Sequence, residues 1–404
     1  MWGPAPAITF DGGERVPAWE ATRLVYTRPM AADPFRYYEF FAGGGMARLG
    51  LGGGWDCLFA NDFDAGKAAA YAANHGAAHL RQGDIWDLTA ADLPGAADLA
   101  WASSPCQDLS LAGRRGGLDG GRSSAFWGFH RLVEGLVREG RAPRVLVIEN
   151  VSGLLSSNGG GDFTALGAAL AALGYRFGAL EVDAALWLPQ SRPRVFVIAT
   201  RGEDAIGAAG PSAPFHGPRV QAAWERLPAE LKDRWAWWRL TPPARRNGTL
   251  AEVLEPDHAV AWFDEARTRA LLAMMAPLHR ERLASAGADG RAVGALYRRV
   301  RTERGEKVQR AEVRFDGLAG CLRTPAGGSS RQVVVVAEGG RVKARRLTAR
   351  EGARLMGLPE DYRLPRAETA ALKLLGDGVA VPVVRALAEQ ILEPLLTGAA
   401  RAAA

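Results

Sequence analysis

The chain has 404 residues, 48% of them apolar, and a net charge of +6 with a pI near 9.5; this excludes a disordered polymer and leaves room for two domains. Three distant cysteines, Cys57, Cys106 and Cys321, and six scattered histidines give neither a disulfide framework nor a metal-ligand spacing, so a reducing compartment and no metal are expected. With no leader-like N-terminus and no apolar run of about 18 residues, a cytoplasmic protein without a membrane partner is expected.

Residues 1–34 hold several prolines and no sustained period, and read as an N-terminal extension. Over residues 35–205 short apolar runs alternate with helical patterns, the signature of an α/β domain with a doubly wound, mostly parallel sheet. The runs fall at 36–41, 55–60, 97–102, 144–148, 175–182 and 195–200, and the helical patterns at 46–51, 65–74, 126–139 and 163–173. A Gly/Pro/Ala-rich stretch, 207–218, then ends the alternation. A second, smaller domain is expected over 206–345, with an aromatic cluster (Trp224, Trp235, Trp237, Trp238, Trp262), a helix near 263–275 and an Arg-dense stretch at 297–314. Large aromatics at these spacings read first as core. Between residues 206 and 340 there are 21 Lys and Arg against 15 Asp and Glu, while the remainder balances at 29 each. A basic module on a neutral scaffold suits a polyanion, although an Arg-rich solvated surface has the same composition. Residues 346–396 return to helical periodicity.

Chemistry concentrates at the ends of the predicted strands. Phe41-Ala42-Gly43-Gly44-Gly45 lies where the first strand turns into a helix, a place that cradles cofactors. Asp62, nineteen residues past Gly43, ends the next strand, where a carboxylate accepts bonds from ribose hydroxyls. Taken alone, the turn also fits nicotinamide and flavin enzymes. Gly83-Asp84-Ile85 ends the third strand; Asp84 either meets an adenine amino group or caps the turn that follows. Ser104-Pro105-Cys106-Gln107 follows the fourth strand and precedes a Gly/Arg/Ser-rich loop, 108–124, suited to closing over a substrate. Alone, Cys106 reads as a small buried hydrophobe. Glu149-Asn150-Val151 ends the fifth strand, and burial of Glu149 would raise its pKa toward a proton donor's range. Gln190-Ser191-Arg192-Pro193-Arg194 adds two guanidinium groups for phosphate or carbonyl oxygens.

In this order the motifs resemble the DNA (cytosine-5) methyltransferase family of bacterial or phage type. The likeness continues through residues 346–359 and through Gly376-Asp377-Gly378-Val379-Ala380-Val381-Pro382. It implies a Rossmann-like methyltransferase fold using S-adenosyl-L-methionine, with target recognition in the basic region. The resemblance assigns catalysis to Cys106, Gln107, Glu149, Arg192 and Arg194, and cofactor binding to Phe41, Gly43, Gly45, Asp62, Phe63, Asp84 and Ile85. Two positions depart from the family: Ser104 stands where Pro or Phe is common, and Asp377-Gly378 replaces an Asn-containing pair. An acid at 377 would repel the methionine carboxylate, so Asp377 is left out of the binding set.

The resemblance implies methylation of a flipped-out cytosine in double-stranded DNA by a monomer, with a cognate restriction endonuclease as a further partner. Cys106 is the expected nucleophile, and Cys57 and Cys321 are expected to be core or structural thiols. RNA methylation is the nearest rival, which the long region after residue 200 disfavours. A catalytically silent DNA-binding relative is disfavoured by the intact Cys106, Glu149 and Arg194, and a nicotinamide oxidoreductase by a thiol with no role in that chemistry.

Overall fold

A computed structural model describes residues 34–104, 125–202, 207–288, 290–303, 305–324 and 331–398. Pro105, Cys106, Gln107 and the loop 108–124 lie outside the described residues, as do residues 1–33. The first unit contains β1 (Phe35–Phe40), α1 (Met46–Leu51), β2 (Trp55–Asp62), α2 (Ala65–His75), β3 (Leu80–Gln82), β4 (Leu99–Ser103), α3 (Ala125–Arg138), β5 (Val145–Val151), α4 (Gly161–Ala172), β6 (Arg176–Asp183) and β7 (Pro193–Thr200). Its sheet has the order β3-β2-β1-β4-β5-β7-β6, with β7 antiparallel between β5 and β6. Helices on both faces bury the central strands, which therefore read as unbroken apolar runs; Leu99, Ala100, Trp101 and Ala102 of β4 are wholly buried. At about 1.5–3 kcal/mol for a fully buried large apolar side chain, such strands dominate the core's stability.

After Thr200 the chain does not leave this sheet at once. The carbonyl of Phe177 accepts from Ala236 N (2.8 Å), Arg234 O accepts from Phe177 N (2.9 Å), and the Trp238 indole donates to Ile198 O (3.1 Å). Trp235, Trp237 and Trp238 are buried there, with α5 (Pro218–Glu225) packed nearby. The tryptophan-rich segment therefore thickens the core of the first unit.

The second unit follows, with α6 (Glu265–Ala273), α7 (Pro277–Ala286), β8 (Ala292–Glu303), β9 (Glu306–Arg314), β10 (Val333–Glu338) and β11 (Arg341–Arg346). Its antiparallel sheet has the order β11-β10-β8-β9, and Leu271, Met275, Leu283, Leu296, Val313 and Val335 form its core. The buried pair Arg345–Glu351 (2.6 and 2.8 Å) joins β11 to α8 (Ala349–Leu355), where Glu351 also completes a capping box with Thr348. The chain then packs back on the first unit through α9 (Glu368–Asp377) and α10 (Val381–Leu387), the latter against α1.

Candidate active site

Strand order reverses beside β1, which pairs with β2 on one side and β4 on the other; Phe40 faces both Asn61 and Ala102. The carboxyl ends of these strands open a crevice, the usual ligand site of such sheets. A left-handed backbone at Phe41 (φ 55°) and Gly43 (φ 56°) bends the chain back there. Space is open where a Gly43 side chain would stand, so the turn presents bare backbone to the crevice. Gly45 (φ 77°) caps α1 and is pressed by the His75 ring, leaving no room for a side chain.

Asp62 holds the turn in place. One carboxylate oxygen accepts from Gly43 N and the other from Asp64 N, both at 2.8 Å. Burial raises its pKa, against the pull of those two bonds. Each oxygen keeps a further lone pair, and the neighbouring Phe63 ring is 65% exposed. A carboxylate able to accept two hydroxyls beside a bare turn and an uncovered aromatic ring fits the ribose and adenine of an adenosyl group. Asp377 is part of the same wall, but its charge is compensated: Lys67 Nζ lies 2.7 Å away and the Thr324 hydroxyl donates to it at 2.5 Å. The repulsion expected from the sequence is thereby offset.

At the other end of the crevice, β5 brings Glu149 alongside Ser103 of β4, and β7 brings Arg194 alongside Val151. Arg194 Nε lies 3.1 Å from Glu149 Oε1. Glu149 is 5% exposed, and burial raises its pKa although Arg194 and then Arg192 pull it down. Asn150 donates to the Ser104 carbonyl (3.2 Å) and so anchors the backbone that leads to Cys106. Glu149, Arg194, Gly43, Asp62 and Phe63 share one cavity of about 1570 Å³, which Tyr297, Arg298 and Arg299 of β8 also line.

Several assignments from the sequence change. Arg192 is 1% exposed and donates from Nη1 to the Leu322 carbonyl (3.0 Å) and the Cys321 sulfur (3.6 Å), and from Nη2 to the carbonyls of Gly376 (2.8 Å) and Gly378 (2.5 Å); it ties chain segments together, and the four hydrogens of those nitrogens are all engaged. Asp84 caps the turn after it, accepting from Trp86 N (3.0 Å), and Ile85 is buried against Gly128 of α3; their part in holding the cofactor stays what the resemblance implies. Cys321 is no core thiol: it lines the cavity, with Arg194 Nη1 at 3.9 Å from its sulfur. Cys57 is buried, and burial pushes its thiol up to about 11. Lys67, Asn150 and Cys321 were not singled out from sequence; only the Glu-Asn-Val motif carried a signal, and the duty of its Asn depends on the β4–β5 pairing.

A doubly wound sheet with a glycine turn and an aspartate at the switch point, and a buried carboxylate two strands away, defines a Rossmann-like methyltransferase architecture. The C-5 cytosine-specific DNA methylase family matches residues 35–393, and the chain belongs to it. It is 26% identical to the Type II methyltransferase M.HpaII of Haemophilus parainfluenzae over 394 residues, covering 91% of this chain and 92% of that one. It is also 26% identical to M.HhaI of Haemophilus parahaemolyticus over 366 residues, covering 88% and 94%. Dnmt2 methyltransferase of S. pombe has a similar fold, with a TM-score of 0.57 at 19% identity, covering 90% of this chain and 99% of that one. Use of S-adenosylmethionine is typical of the family.

Proposed function

We propose that this chain is a DNA (cytosine-5) methyltransferase that modifies a cytosine flipped out of duplex DNA. The observation that carries the reading is the Glu149–Arg194 pair at one end of a cavity whose other end is the Gly43–Asp62 turn. S-adenosylmethionine, when bound, supplies an electrophilic methyl group. Gly43, Asp62 and Phe63 would hold its adenosyl part, and Lys67, paired with Asp377, lines the same cavity.

Carbon 5 of cytosine is a weak nucleophile, and addition of the Cys106 thiolate at carbon 6 pushes electrons toward it. Glu149 in its carboxyl form places a proton at ring nitrogen 3, where negative charge develops. Arg194 holds the base carbonyl and keeps Glu149 oriented. Once carbon 5 carries the methyl group, loss of its proton to solvent re-forms the ring double bond and expels the Cys106 thiolate. The base reaches these groups only outside the stack, and the β8 arginines that line the cavity support a DNA partner. The Type II methyltransferase relatives support a cognate restriction endonuclease as a further partner. No helix among the described residues is long and apolar enough to cross a membrane; action in the cytoplasm as a monomer is part of the proposal.

The test is adduct trapping with duplex DNA containing 5-fluorocytosine, which blocks proton loss. The parent chain should form a stable covalent adduct, and Cys106→Ser should form none while still binding S-adenosylhomocysteine. Cys321→Ser is the necessary control, because that thiol also lines the cavity. An adduct in the Cys106 variant that vanishes in the Cys321 variant would move the nucleophile.

A further inference from the structure

The second sheet carries a group of arginines that the chemistry around Glu149 does not use. Leu296, Val333 and Arg346 stand side by side across β8, β10 and β11. Residues in register share a face, and Leu296 and Val333 point into the core beneath α6 and α7. Arg346 is therefore on that face, at its open end, where it is exposed. Arg298, two residues past Leu296, returns to the same face by the period-two alternation of a strand. Arg331 stands two residues before Val333, the first residue of β10, at the same end. Arg267 comes from the first turn of α6, which packs on β11, and stacks on Phe263 at 3.8 Å.

Register and helix packing thus bring Arg267, Arg298 and Arg331 close enough to Arg346 for their charges to act on it. Burial and then the charges of Arg331, Arg267 and Arg298 all lower the pKa of Arg346. Glu368 lies among them, 2.5 Å from Arg331, and offsets part of this charge. Arg299 and Arg301, on the other face of β8, are both paired with Glu312. Like charges converging on one place are costly in the free protein and suit a shared anion. Arg298 and Gln332 also line the large cavity, so the cluster sits at its rim.

We infer that Arg267, Arg298, Arg331 and Arg346 form a clamp for a backbone phosphate of the DNA strand entering the cavity, positioning that strand without reading its sequence. Guanidinium groups converging on one point match the tetrahedral oxygens of a phosphodiester, whereas base reading needs donors spread along a groove. The inference rests on the proposed action on DNA.

The test measures duplex binding by fluorescence anisotropy for the parent chain, Arg346→Gln and Arg267→Gln, across a range of salt concentrations. Two duplexes are compared, one methylated by the parent and one of unrelated sequence without methylatable sites. Thermal melting and S-adenosylhomocysteine binding, both expected to be unchanged, establish that the variants fold. Each variant should weaken both duplexes by a common factor of roughly ten. The slope of log K against log salt should become shallower, by at most about 0.9, one phosphate's full share. Unchanged affinity and slope would overturn the clamp, as would a loss confined to the methylated duplex, which assigns these residues to base reading. Failure of the parent to bind any duplex removes the DNA reading itself, an outcome distinct from normal parental binding with unaltered variants.

Discussion

Glu149 shows how one residue's environment sets its chemistry. Two opposed effects act on its carboxyl: burial raises the pKa, Arg194 lowers it, and the net direction is upward. A carboxyl that stays protonated closer to neutrality can serve as an acid, and it loses that capacity as pH rises through its raised pKa. Glu149→Gln keeps the size and a hydrogen-bond donor but holds no transferable proton. In single-turnover methylation it should lower the rate about 10²- to 10⁴-fold, and the alkaline decline contributed by this group in the parent should be absent from its pH profile. An unaltered rate would remove Glu149 from the mechanism. At Asp377, likewise, Lys67 and Thr324 turn an unfavourable acid into part of a neutralised wall.

At the scale of elements, the two sheets and the returning helices are joined by side chains that satisfy backbone groups at a distance. Arg192, just before β7, donates to carbonyls at residue 322 and on either side of Asp377 at the end of α9. Arg192→Met keeps the bulk of the side chain and strands those three acceptors in a dry place. The expected cost is about 2–4 kcal/mol, since each lost partner leaves an unsatisfied group. Urea denaturation would measure it, and calorimetry should show weaker S-adenosylhomocysteine binding because Gly376 and Asp377 line the cavity. Unchanged stability would show that these bonds contribute nothing net.

For the whole molecule, the second sheet and its core begin later in the chain than residue 206, where the composition shifts. Residues 207–240 are hydrogen-bonded and packed onto β6 and β7, whereas α6 through β11 build a sheet and core of their own. Exchanging residues 263–346 for the matching part of a relative should change which cytosine is methylated while keeping Cys106-dependent chemistry, read by bisulfite sequencing of host DNA. Retention of the parental target would show that recognition lies elsewhere. Extending the exchange to residue 207 should instead yield unstable protein, because it replaces tryptophans buried against Phe177 and Ile198.

The strands of the first unit, the helix at Met46–Leu51 and the order of the motifs were legible in the sequence because each depends on a short window. Apolar runs mark buried strands, and a glycine turn followed nineteen residues later by an aspartate marks a nucleotide crevice wherever β1 and β2 adjoin. Tertiary structure alone decided that β7 inserts antiparallel beside β5, which brings Arg194 to Glu149. It also withdrew Arg192 from the substrate, gave Asp377 its lysine and placed Cys321 in the cavity. Each of these outcomes is a contact between residues tens to hundreds of positions apart, and no local period or spacing encodes which distant charge, carbonyl or thiol the fold will bring alongside.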